Sequence, residues 1–146
     1  MKKLHLLIPI GLIALFFFLS STMLPLKGCH KINAKGKGAI TGGVAPQVIT
    51  EVDIIGGGLL NGRTYAVFTM GASGDFTGDL DLITKHGAIH FVIGDGQFTG
   101  NQFKATAIAV SSSGKLSGAS GALVLEGVSI SETDFTETIR GEICFN

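Results

Sequence analysis

The sequence predicts an all-β fold: a single closed antiparallel barrel of about eight strands, preceded by an N-terminal apolar signal helix. Three observations predict it. The pattern Gly-x-(Phe/Leu)-(Thr/Ser)-Gly occurs at Gly74–Gly78, Gly96–Gly100 and Gly114–Gly118, with starts 22 and then 18 residues apart, the span of a hairpin with its turns. After residue 40, apolar and polar residues alternate at period two, and no apolar stripe at helical spacing interrupts them. Glycine reaches 22 of 146 residues while 45% are apolar and no Gly-X-Y period exists, which fits a packed, turn-rich chain and neither a disordered nor a collagenous one.

Taken in order, Met1-Lys2-Lys3, the apolar run Leu4–Leu19 and the polar cluster Ser20-Ser21-Thr22 read as an export signal, with an uncleaved anchor left open. The protein is therefore expected outside the cytoplasm, periplasmic or secreted, or held at a membrane through this segment. Lys27, Lys31, Lys35 and Lys37 follow without an acid among them, and read as a solvated tail or a segment lying on an anionic membrane surface. Residues 1–28 are assigned to signal peptide and basic linker, and 29–146 to the barrel.

The strands begin near Gly38–Thr41 and continue with Val48–Ile55, closed by Gly56-Gly57-Gly58. Arg63–Met70 sets Thr64, Ala66, Phe68 and Met70 on one face and Tyr65 on the other. Asp75–Thr84 turns Phe76, Gly78, Leu80 and Leu82 inward. Lys85-His86-Gly87 turns into Ala88–Ile93, and a Gly94-Asp95-Gly96 turn leads towards Asn101–Val110. Lys115–Gly118, Ala122–Val128 and Phe135–Phe145 complete the set. Short connections let such a chain remove its edges by closure, and eight strands leave room inside for side chains or one small ligand. The pentapeptides are expected at the corners, with Phe76, Phe98 and Leu116 as inward anchors. The small residues Gly78, Ala105, Ala107, Ala109 and Gly127 either open the interior or seat the phenylalanines; a filled interior is the default.

From Gly38 onward five basic residues face eleven acids, a net charge of −6, which disfavours nucleic-acid phosphates as partners. The two cysteines, Cys29 and Cys144, flank the barrel. They pair as a disulfide in an oxidising compartment, or Cys29 carries a lipid after the lipobox-like Leu26-Lys27-Gly28, or both stay free.

The stretch Gly114–Leu123 resembles the Gly-x-Phe-x-Gly-Ala-x-Gly turn of the allene oxide cyclase and dirigent barrel-like superfamily, with Leu116 at the phenylalanine position. With Ile83–Gly87 and Ile139–Cys144 it is similar to small exported bacterial members of that group, over roughly residues 50–146. The resemblance implies a barrel that encloses an apolar, reactive ligand. The matched positions are turns and anchors, so it carries over no functional residue.

Glu137 shares its alternation with Phe135, Ile139, Ile143 and Phe145, so it is expected inside, where a carboxyl must be paired or protonated; this makes it the candidate acid/base group. Tyr65, Phe76 and Phe103 join Glu137 as candidate ligand contacts. His90 is expected to face outward or line an entrance, and His86 to serve its turn. No metal site is expected: Asp79 and Asp81 read as a solvated acidic face lacking the 6–8 oxygens calcium needs. No cofactor is expected, since the glycine turns lead into no helix; nor is hydrolase chemistry, since no nucleophile elbow exists.

The leading expectation is a non-catalytic binding or structural module that holds a small apolar ligand or presents its surface to a partner. The alternative is a cofactor-free isomerase or cyclase of allene-oxide-cyclase type, or a dirigent-like protein, using the lumen as a mould. A third is a lipid-anchored envelope protein with a mechanical role. An apolar cavity of about 300 Å3 or more beside Glu137 would favour ligand or enzyme.

Overall fold

The computed structural model describes residues 26–146; the expected signal helix falls in the part of the chain outside them. Eight antiparallel strands form one closed barrel in chain order, the last pairing with the first. They are β1 (Gly28–Gly42), β2 (Gln47–Ile55), β3 (Gly62–Met70), β4 (Asp75–Thr84), β5 (Gly87–Thr99), β6 (Gln102–Ser112), β7 (Ala119–Ser129) and β8 (Asp134–Phe145).

The basic segment is not a tail. It is the body of β1, whose residues Ile32, Ala34, Gly36 and Gly38 are buried while Lys31, Asn33, Lys35 and Lys37 stand in water on the outer wall. This strand closes the cylinder, pairing with β8 from Gly28↔Phe145 to Ala39↔Asp134 and with β2 from Lys35↔Ile55. Nor is Gly94-Asp95-Gly96 a turn. β5 runs through it as a bulge, where the register against β6 shifts between Ile93 and Gln97. The Asp95 carboxylate accepts the Thr106 N–H at 2.7 Å, giving a partner to an amide beside the interrupted ladder.

The repeated pentapeptides also divide. The third is a corner and not the strand expected over Lys115–Gly118: Gly114–Leu116 forms a 3-10 turn that drives Leu116, 0% exposed, into the barrel. The first two lie along neighbouring strands and face each other, with Asp75↔Gln97 and Phe76↔Gly96 in register.

The two ends of the barrel differ. At one, the 3-10 turns Gly58–Leu60 and Gly114–Leu116 insert Leu60 and Leu116 above Ile89, Ile143 and Phe145, and the interior is filled. The connections 43–46, 71–74, 100–101 and 130–133 surround the other end, where Ile40, Val48 and Met70 are only partly covered.

Cys29 and Cys144 are bonded on the outer wall of the β1–β8 seam, as directly opposed residues with Cα atoms 3.9 Å apart. The bond takes the sulfur that a lipid on Cys29 would need, and neither thiol is free. It closes a chain separation of 115 residues. On the chain-entropy relation, Cys29→Ser with Cys144→Ser is expected to lower unfolding free energy by about 4–5 kcal/mol. Urea denaturation checks it: the midpoint falls while the strand signal in circular dichroism is kept.

Candidate functional site

Phenylalanines from five strands form a continuous belt inside the open end: Phe68 (β3), Phe76 (β4), Phe98 (β5), Phe103 (β6) and Phe135 (β8). Successive ring centroids are 5.3, 5.3, 5.5 and 5.5 Å apart, in tilted or edge-to-face arrangements favoured by aromatic quadrupoles. Four of the rings lie over a glycine directly opposite on the adjoining strand, in the pairs Phe68↔Gly78, Phe76↔Gly96, Phe103↔Gly127 and Phe135↔Gly38. A Cβ at any of those glycines would collide with the ring. The small inward residues thus seat the aromatics, and the space left over forms the site.

That space is a cavity of about 160 Å3, bounded by the belt and the mouth residues Ile40 and Met70, with Val52, Leu80, Ile93 and Leu125 below. Its polar wall groups are Thr50, Thr64, Ser129 and Glu137. A second gap of about 20 Å3 lies deeper, and Thr64 and Glu137 border it too. The interior is therefore partly filled. The cavity falls short of the volume of about 300 Å3 expected to favour a ligand or an enzyme, and its size is that of an apolar cavity of about 150 Å3 that takes up benzene.

Glu137 stands one inward position below Phe135 on β8, in register with Gly127 of β7 and Gly36 of β1. A Cβ on Gly36 would stand 2.8 Å from Glu137 Cγ, so this flanking glycine makes the berth for the side chain, while Gly127 on the other flank lies under Phe103. It is 7% exposed and makes no hydrogen bond or ion pair among the described residues. Burial alone pushes its carboxyl up to about 7, because the apolar lumen penalises the charged form. Thr64 is buried as well, and its Oγ1 has no hydrogen-bond partner among the described residues.

Of the residues expected at a site, Phe76, Phe103 and Glu137 line one cavity. Tyr65 does not: it is 45% exposed on the outer wall, since its strand turns Thr64 and Ala66 inward. The sequence reading missed Thr64 as a lumen group and missed Gly36, because it ended the barrel pattern short of the lysine run. The signal was present in the alternation of Ile32, Ala34, Gly36 and Gly38 with exposed residues.

His90 faces outward. Its Nδ1 lies 2.7 Å from Asp81 Oδ1 and its Nε2 3.2 Å from Asp79 Oδ1, and the Asp81 hydrogen bond, more than any other contact, raises its pKa. His86 serves its turn, where its N–H donates to Thr84 Oγ1 at 2.9 Å and its carbonyl accepts from the Lys115 N–H at 2.8 Å. Among the described residues, Cys29, Glu142 and Cys144 bring three ligand-type atoms together, but the two sulfurs are bonded to each other.

Compared with family models, curated proteins and solved structures, the chain matches none.

Two outcomes are expected from the titrating groups. Between pH 4.5 and about 7 the native Glu137 stays protonated while the unfolded chain ionises. The native state then holds more protons, so stability falls as pH rises through that window, by about 3 kcal/mol in all. Glu137→Gln removes this loss, and urea midpoints at pH 4, 6 and 8 read it. Separately, Asp81→Asn is expected to move the His90 titration down, observed by NMR, with the lumen unchanged.

Proposed function

We propose that this protein is an exported binding module that holds a small apolar molecule, about one ring in size, inside its barrel. The observation that carries the reading is the 160 Å3 apolar cavity whose walls include a buried carboxyl without a partner among the described residues. A structural barrel has no need of either feature: an apolar residue at position 137 would avoid the desolvation cost. The Cys29–Cys144 bond fits an oxidising compartment, and with the export-type start of the chain it supports a periplasmic or secreted location. The enclosed lumen is also what the resemblance to the allene oxide cyclase and dirigent barrel-like superfamily implies, and that kinship is part of the proposal.

The titration of Glu137 near neutrality supports a second reading, a cofactor-free isomerase or cyclase-like enzyme. A carboxyl with this pKa can donate or accept a proton at ordinary pH, in a lumen that confines the substrate.

Native mass spectrometry of the protein purified from its own host tests the first reading, alongside toluene titration followed by NMR. One small organic molecule per barrel is expected, together with toluene shifts confined to the belt and the Ala105 and Leu125 methyls. Neither adduct nor shifts would leave the barrel a purely structural module. Chemical conversion of the bound molecule, lost in Glu137→Gln, would select the enzyme.

A further inference from the structure

The cavity has a chemical preference that can be read from two polar groups on its wall, Glu137 and Thr64, which make no side-chain hydrogen bond among the described residues. Glu137 and Thr64 border both the main cavity and the gap below it, so they face the same space from β8 and β3. Among the described residues, no basic side chain lines either void. An anionic head would meet only a carboxyl there, and is refused. A neutral hydroxyl brings one donor hydrogen, whereas a primary ammonium brings three, enough for both carboxylate oxygens and the Thr64 Oγ1 together. The phenylalanine belt above adds aromatic faces, which attract a cation once it is desolvated.

We propose that the lumen takes a small single-ring primary amine, its ring within the phenylalanine belt and its ammonium between the Glu137 carboxylate and the Thr64 hydroxyl. This rests on the reading above that the barrel holds a one-ring ligand, and it adds a cationic head to the apolar ring. The size fits a ring with a short amino arm, since the main cavity is about 160 Å3. Charges on the neighbouring strands do not supply the missing partner. Lys35 and Lys37 on β1, Lys104 on β6 and Glu126 on β7 are exposed in an outer groove that Glu137 also borders, but no ion pair joins any of them to Glu137 among the described residues, and Lys104 is paired with Glu126 at 3.0 Å. The strands next to Glu137 present Gly36 and Gly127, and the facing strands present Thr50, Val52, Thr64 and Ala105; none of these titrates.

Benzylamine, benzyl alcohol and toluene share a ring and differ in the head, so calorimetric titration of the three at pH 6 and pH 8 is the test. Benzylamine is expected to bind most tightly, and about tenfold more tightly at pH 8 than at pH 6, because the ionised share of a carboxyl titrating near 7 rises by about that factor. Glu137→Gln is expected to lose at least tenfold for benzylamine while keeping toluene, whose binding also reports that the variant is folded. Thr64→Val is expected to weaken benzylamine and spare toluene. If benzyl alcohol or toluene binds as tightly as benzylamine, or if benzylamine binding does not strengthen with pH, the amine assignment is overturned and the ligand-binding reading survives. If none of the three binds, both fall.

Discussion

The scarce quantity in this molecule is room inside an eight-strand cylinder. A barrel of this strand number has an interior just wide enough for its inward side chains, so each large one must be matched by a small neighbour. The chain solves this by cross-strand complementarity, setting a phenylalanine against the glycine opposite it at four places around the open end. Glycine weakens a strand when left bare, and a ring laid over it restores the lost contact. Where this matching falls short of filling the lumen, a cavity remains. Gly36 berths Glu137 in the same way, while Gly127 on its other flank already seats Phe103.

Closure has a second effect, on polarity. In a sealed antiparallel cylinder the backbone N–H and C=O groups are committed to the ladders, so the lumen offers almost nothing but side chains. A carboxyl placed there cannot be rescued by main-chain donors, as it would be at the start of a helix. Its energy is set by burial alone, which accounts for the single cause behind the shift of Glu137. A polar group kept in such surroundings weakens the fold, and sites of that kind are where stability is given up for function.

Much of this was legible in the sequence. Period-two alternation identified five of the eight strands nearly in full, and it turned Phe76, Leu80, Leu82 and Glu137 inward. Three features escaped it for physical reasons. Lysines hid β1, because their charge suggested a tail, although long charged side chains are at home on the wet face of a strand. The Gly94-Asp95-Gly96 run looked like a turn, since a bulge and a turn use the same residues and only the ladder beyond tells them apart. Phe-Gly pairing cannot be seen along the chain at all, because it depends on register between strands. The cavity followed suit: its size is a remainder after packing, which composition does not fix.

Both described ends of the chain emerge at the plugged end, where Leu26 donates its N–H to the Lys115 carbonyl at 3.3 Å and Gly118 adjoins Asn146. The belt opens at the opposite pole. A surface, carrier or label joined at Asn146 would therefore grip the molecule by its base, with the doorway directed away from the attachment and clear of it.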